Sequence, residues 1–206
     1  MFDSGIKAAD LIQSLKNEID VAYPITGDMY VQWLNSAEQL LYSEIIKEQG
    51  IIDIEIPEDG SDIINLAKLS VPEDENTIRF EDIYMVLING MQMTKTNIST
   101  GELIDKTYFK LGGNVKYHYS DETETIRIIY HVKPKLKTVT SPDDEISDEN
   151  VMIPIEFIEL IKSKIRAEAY KIANENVFAG NWANEYNVLL ENFKVWIAGR
   201  NAEYGL

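Results

Sequence analysis

His118 and His131 are the only histidines among 206 residues. Imidazole pairs hold a metal when they sit four apart on a helix or face one another across a sheet. A hairpin centred on Glu122-Thr123 would pair Tyr119 with Ile126, Tyr117 with Ile128 and Val115 with Tyr130, so that each apolar residue meets an apolar partner. In that register the two histidines share a sheet face but lie about four residues apart, roughly 13 Å at the strand rise. They are expected to be ordinary sheet-face residues. The clusters Glu58-Asp59-Gly60-Ser61-Asp62, Glu73-Asp74-Glu75 and Asp143-Asp144-Glu145 offer the oxygen ligands that calcium takes. None has the Asp-x-Asp-x-Asp-Gly loop with Glu at its twelfth position, and all three read as solvated turns.

Nucleophilic and cofactor chemistry finds little purchase. The chain has no cysteine, which removes thiolate metal sites, disulfides and cysteine nucleophiles together. It lacks Gly-x-Ser-x-Gly, Gly-x-x-x-x-Gly-Lys-Ser/Thr, Gly-x-Gly-x-x-Gly and His-Glu-x-x-His. A glycosidase needs two carboxylates at a set separation, and 35 acidic residues supply candidates without singling out a pair. No catalytic, cofactor-binding or metal-binding residue is assigned, no cofactor is expected, and the chain reads as a non-enzyme. Trp196, Arg200 and Tyr204 fall one helical turn apart beyond the main stripe of the last helix. Trp, Tyr and Arg are the residues enriched at interface hot spots, so these three are the candidate partner surface.

The elements that position these residues follow from periodicity. Ala8, Leu11, Leu15 and Ile19 recur at helical spacing until Pro24. Tyr30, Leu34, Ala37, Leu41 and Ile45 make a second stripe, with Gly50 as its expected stop. From Ile51 the pattern alternates, and the turn signals Pro57-Glu58-Asp59-Gly60, Pro72 to Asn76, Asn89-Gly90 and Gly112-Gly113-Asn114 punctuate five to seven short strands. A polar, acidic connection follows. Pro154 then opens a helix with Ile158, Ile161, Ile165, Ala169 and Ile172 on one face. Gly180 is expected to break it, and Asn181 to cap a fourth helix bearing Trp182, Tyr186, Leu189, Phe193, Trp196 and Ile197. The expected fold is α+β: a helical bundle of two N-terminal and two C-terminal helices with a β-rich insertion between the pairs. Its parts are residues 1–50 (helical), 51–137 (β-rich insertion), 138–153 (acidic connection) and 154–206 (helical).

Charge narrows the partners. Lys plus Arg number 19 against 35 Asp plus Glu, a net charge of −16, which opposes gripping nucleic acid because that affinity comes from cations displacing counterions. The longest stretch without a charged residue, Ile83 to Thr94, is too short to span a bilayer. Met1-Phe2-Asp3-Ser4-Gly5 has no basic or apolar leader character, so no cleaved secretion signal and no membrane partner are expected.

The C-terminal half resembles a known family. Ile126-Arg127-Ile128-Ile129-Tyr130 through Pro134, the acidic connection, Ile153-Pro154-Ile155-Glu156-Phe157 opening a helix that ends near Ala173-Asn174-Glu175, and Trp182-Ala183-Asn184-Glu185-Tyr186 opening the last one are similar to the head-to-tail adaptor (connector) proteins of tailed bacteriophages. The specific likeness covers about residues 115–206. It implies a structural virion protein, assembled in the host cytoplasm and located at the neck between head and tail. The resemblance further implies that its copies form a ring, commonly twelve-fold, docked on the portal protein and offering its other side to a tail or neck protein. It also implies that DNA passes through the ring without sequence-specific binding. Members of the family often send the C-terminal helix into the portal, which would suit Trp196, Arg200 and Tyr204 as portal contacts. Two other readings rest on the β-rich insertion: a virion carbohydrate-active enzyme with converging carboxylates, or a ligand-binding module with Tyr108, Phe109, Tyr117 and Tyr119 exposed around a groove.

Overall fold

Apolar residues spaced three and four apart produce the first two helices. The structure is a computed structural model, in which residues 1–56, 61–72, 75–97, 104–140 and 145–204 are described. Helix α1 (Ala8–Glu18) buries Ala8, Leu11, Ile12 and Leu15 along one stripe. Helix α2 (Gly27–Leu41) begins where the Thr26 hydroxyl accepts the Met29 N–H at 3.4 Å, and it buries Tyr30, Leu34, Ala37 and Leu41. Gly50 does not stop it. A π-helical turn over Tyr42–Ile46 follows α2, and Lys47 at φ +50° ends the helical run. A left-handed lysine has no sequence signature, because Gly and Asn are the residues that visit this region at low cost. Gly50 instead lies in strand β1 (Gln49–Ile54) opposite Tyr130. An added Cβ there would come within 2.3 Å of the Tyr130 ring, so the glycine is needed for that ring's close approach.

The chain divides into two compact units, residues 47–133 and residues 1–46 with 134–206. In the first, β1 is followed among the described residues by β2 (Ile63–Ile64), β3 (Ile83–Ile88), β4 (Met91–Gln92), β5 (Thr94–Lys95), β6 (Thr107–Leu111), β7 (Asn114–His118) and β8 (Ile126–His131). They form two four-stranded sheets, ordered β1-β8-β3-β4 and β2-β7-β6-β5, with only the β5–β6 pair parallel. Two expected turns are present. Asn89 (φ +51°) and Gly90 (φ +76°) close β3 onto β4, the double left-handed turn that matches strand twist. Gly112 (φ +61°) and Gly113 join β6 to β7, with only the first residue left-handed.

The hairpin centred on Glu122-Thr123 does not form. β7 pairs with β6 and β2, β8 pairs with β1 and β3, and the two belong to different sheets. Alternation specifies which face of a strand is buried and not which strand lies beside it. Val115 and Tyr117 in one sheet, and Ile126, Ile128 and Tyr130 in the other, are all buried as their pattern requires. The crossing between sheets is held by Asn89. Its amide donates to the Glu122 carbonyl at 2.8 Å, and its Oδ1 accepts the Glu124 and Thr125 N–H groups at 2.8 and 3.0 Å. One residue thus makes the β3–β4 turn and fixes the route from β7 to β8.

In the other unit the segment read as an acidic connection contains a short antiparallel pair, β9 (Val139–Thr140) and β10 (Glu145–Ile146). Helix α3 (Ile158–Ile172) follows a 3₁₀ turn over Ile155–Phe157. It packs on both α2 and the last helix, which explains why Leu160, Ile161, Ser163, Ile165, Ala167 and Ala169 are all buried rather than a single stripe. Gly180 does not break it. Asn174 at φ +60° does, with Glu175 N–H bonded to the Tyr170 carbonyl at 2.9 Å and Asn174 N–H to the Lys171 carbonyl at 3.1 Å. These are the 6→1 and 5→2 bonds of a Schellman motif. Helix α4 (Asn176–Tyr204) then runs straight through Gly180 for 29 residues. No helix among the described residues is long and apolar enough to cross a membrane.

The unit is tied together by a buried ion pair. Glu38 on α2 is 1% exposed and Lys137 0%. The Lys137 ammonium donates to one carboxylate oxygen, and the Met152 N–H donates to the other at 2.6 Å. Asn35, one turn earlier, accepts the Lys137 N–H at 2.9 Å and donates to its carbonyl at 2.8 Å. Burial pushes the Glu38 carboxyl up, against the pull of Lys137 and the Met152 N–H.

Two outcomes are expected. Asn89→Ala loses three side-chain hydrogen bonds and the residue's tolerance of positive φ, a cost of about 2 kcal/mol. Asn89→Gly keeps the turn and costs about half as much, and amide exchange in β3 and β8 reads the difference. Lys137→Met strands the Glu38 charge and costs about 3–5 kcal/mol, while Glu38→Leu with Lys137→Met recovers much of it. The fluorescence of Trp33, Trp182 and Trp196, all in this unit, follows that unfolding.

Candidate partner surface

Phe193 is fully buried and Ile197 nearly so, which pins the second half of α4 by its inner side. The next turn bears Trp196 and Arg200. Phe157, at the end of the turn before α3, packs edge-on against Phe193 at 4.8 Å and against Trp196 at 5.3 Å between ring centroids. Phe193 and Trp196 lie nearly parallel at 6.1 Å. From the other end of the chain, Phe2 reaches Trp196 at 5.7 Å, and the Arg200 guanidinium sits 4.3 Å above the Phe2 ring. Such contacts combine cation–π attraction with burial of the arginine stem.

The N-terminal segment that delivers Phe2 is itself held. Phe2 N–H donates to the Tyr42 hydroxyl at 3.1 Å, Ser4 N–H to the Val151 carbonyl at 3.1 Å, and Val151 N–H to the Ile6 carbonyl at 2.8 Å. Trp196 remains 38% exposed at the rim of this cluster. The structure therefore brings Trp196 and Arg200 together on one aromatic base. The backbone of Tyr204 is the last described turn of α4, and its side chain lies outside the described part.

A second arginine joins three helices further along α4. Arg166 on α3 donates to Glu18 on α1 and, at 3.0 Å, to Glu159. Its guanidinium lies 4.5 Å over the Trp182 ring of α4. Lys162 approaches Glu18 and Glu159, each at 3.4 Å. Partial burial raises the Glu18 carboxyl, but the Ser14 hydroxyl at 2.7 Å, Arg166 and Lys162 outweigh it and bring its pKa down to about 2. Arg166 and Lys137 were invisible to motif reading, since neither belongs to a pattern. For Arg166 the one available signal was a cation flanked by Ile165 and Ala167 in a helical stretch, while Lys137, outside any helix or strand, offered none.

The residues weighed for metal or catalytic chemistry are dispersed. His118 lies in β7 and His131 in β8, on separate sheets, and the His131 ring meets Tyr84 edge-on at 5.5 Å. Of the acidic clusters, residues 58–60, 73–74 and 143–144 lie outside the described part. Asp62 approaches Lys116 at 3.6 Å, Glu75 accepts the Tyr130 hydroxyl at 2.7 Å, and Glu145 is exposed. Among the described residues no three His, Asp or Glu converge as metal ligands.

A cleft of about 560 Å³ in the sheet unit is lined by Asp53, Glu55, Glu124 and Arg127 with Ile54 and Leu87. There the Arg127 guanidinium, bonded to Asp53 at 2.6 and 2.9 Å, holds that carboxyl below its usual range. Asp53 is thus an ionised partner of arginine and not a poised proton donor. Tyr108, Phe109 and Tyr117 are buried and Tyr119 is half-buried, so these four do not line an open aromatic groove.

Comparison with known proteins adds no relative: no family model matches the chain, and no curated protein is significantly similar to it.

Glu18 sets a pH dependence. A carboxyl held at about 2 when folded and near 4.5 when unfolded stabilises above pH 4.5, and its contribution disappears as pH falls from 4.5 to 2. Its side chain is more than a third exposed, so screening reduces the effect to about 1 kcal/mol. Glu18→Gln is expected to lower stability at pH 7 by about that much and to match the parent near pH 2, as read by chemical denaturation at each pH.

Proposed function

We propose that this chain is a head-to-tail adaptor of a tailed bacteriophage: a non-enzymatic virion protein whose copies form a ring between portal and tail. The observation supporting it most directly is the half-exposed Trp196–Arg200 cluster near the end of a 29-residue helix. A tryptophan and an arginine backed by Phe157, Phe193 and Phe2 form a rigid platform that needs little further ordering to bind, which is what makes such residues effective anchors. The helices before and after the sheet unit would form one bundle, the sheet unit being an insertion that faces neighbouring copies or the tail. The portal would engage the Trp196 end of α4.

The charge suits a passage for DNA. A ring of subunits each carrying −16 presents carboxylates that repel phosphates, so the duplex slides through rather than adhering. The same charge opposes spontaneous association, so the ring assembles on its partner by heterologous contacts between unlike patches of successive copies.

Mass photometry of the purified protein, alone and mixed with the portal protein of the same virion, tests this reading. A monomer that converts into a portal-sized complex with many copies bound is the expected result. Indifference to portal overturns the adaptor assignment, and a stable ring from the isolated chain overturns templated assembly. Trp196→Ala and Arg200→Glu are each expected to weaken portal binding at least tenfold, about 1.4 kcal/mol. Because Trp196 is part-exposed, both variants should retain the parent's helical circular dichroism.

A further inference from the structure

Strand β1 is the outermost strand of its sheet, with β8 on one side and no described strand on the other. The bonding pattern fixes which backbone groups look outward. The Val132 N–H donates to the Glu48 carbonyl at 2.9 Å, and in an antiparallel ladder alternate residues exchange bonds with the neighbouring strand. Glu48, Gly50, Ile52 and Ile54 therefore bond to β8, while the N–H and carbonyl groups of Gln49, Ile51 and Asp53 point to the free edge. Such a row accepts a further strand unless something blunts it. This one is not blunted: no proline precedes Pro57, the Asp53 charge is neutralised by Arg127, and Ile51 is 60% exposed.

The side chains identify the strand that fits. Antiparallel pairing of β1 with β1 of a second copy, about a two-fold axis at Ile51, sets Ile51 against Ile51, Gln49 against Asp53 and Lys47 against Glu55. Lys47 and Glu55 are both exposed, and neither has an ionic partner among the described residues. Pairing gives each an opposite charge, at both ends of the ladder. Glu48, the remaining acidic residue between positions 47 and 56, is half-buried and falls opposite Ile54. Sliding one strand by two residues sets Ile51 against Gln49 or Asp53 and separates Lys47 from Glu55, and sliding it by one puts the outward bonding groups out of register. The edge is thus complementary to itself in one register.

We infer that β1 pairs edge to edge with β1 of a second copy of this chain, joining two four-stranded sheets into one. The ladder from Gln49 to Asp53 is about 17 Å long, narrower than a standard interface, and the net charge of −16 on each copy opposes it. The pairing is accordingly a high-micromolar association, which mass photometry of dilute chain reads as monomer. It goes beyond the adaptor reading, because a two-fold contact does not join successive members of a cyclic ring and so belongs to the chain outside the ring.

Exchanging the two charges gives a test that only self-pairing passes. Sedimentation velocity from about 10 to about 1,000 μM chain brackets such an affinity, and the parent is expected to dimerise at the upper end. Lys47→Glu and Glu55→Lys should each pair about tenfold more weakly, since like charges then face one another. An equimolar mixture of the two variants should recover the parent's dimerisation, one copy being acidic at both positions and the other basic. Ile51→Pro removes an outward N–H and no bond to β8, so it should abolish the dimer with unchanged circular dichroism. In amide exchange, the Ile51 and Asp53 N–H groups should slow as concentration rises, while those of Gly50 and Ile52 are slow throughout. Monomer across the whole range, single variants that dimerise like the parent, a mixture no better than its components, or a dimer that survives Ile51→Pro would each overturn the pairing. If Ile51→Pro loses its fold, the charge exchange decides. None of these measurements involves portal, so their failure leaves the adaptor reading standing.

Discussion

An ammonium and a carboxylate removed from water govern the helical unit. Burying either charge alone would cost several kcal/mol, so Glu38 and Lys137 stay folded only while they face each other with their remaining bonding capacity satisfied. The Met152 N–H serves the second carboxylate oxygen, and the Asn35 amide holds the Lys137 backbone in place by bonding its N–H and carbonyl. The consequence is positional. Residues 137 and 152 are both fastened to α2, and α3 starts only six residues after Met152, so the placement of α3 against α2 follows from this pair. An apolar contact would tolerate sliding, whereas a buried ion pair has one acceptable geometry.

Given α3, the long last helix is positioned by cations lying on aromatic rings. Arg166 reaches from α3 to Trp182 near the start of α4, and Arg200 near its end covers Phe2. Between them Phe193 and Ile197 are buried. α4 is thus held along one side, with Trp196 at its rim and Val177, Val188 and Val195 facing outward. A helix anchored in this way presents two distinct surfaces in fixed relation.

The sheet unit obeys a steric constraint of another kind. Tyr130 lies across Gly50 because no side chain intervenes, and its hydroxyl reaches Glu75. Asn89 combines turn geometry with capture of the segment leading into β8. Each of these small or turn-forming residues acts on a strand distant in sequence.

Local chemistry was legible in the sequence. The stripes of α1 and α2, the alternating strands, the Asn89-Gly90 and Gly112-Gly113 turns and the α+β class follow from periodicity and from residues that accept positive φ, which depend on neighbours a few positions away. The tertiary structure decided everything that joins distant residues. Gly50 and Gly180 looked like helix stops, yet Lys47 and Asn174 are the residues that turn left-handed. β7 and β8 matched as a hairpin, yet each found better-placed partners in separate sheets. Trp196 and Arg200 were recognisable by type, but only folding set Phe2 beneath Arg200. Lys137 resembled any surface lysine until Glu38 came within reach. Side-chain pattern encodes which face is apolar, while the identity of the partner that covers it depends on where the whole chain brings remote segments together.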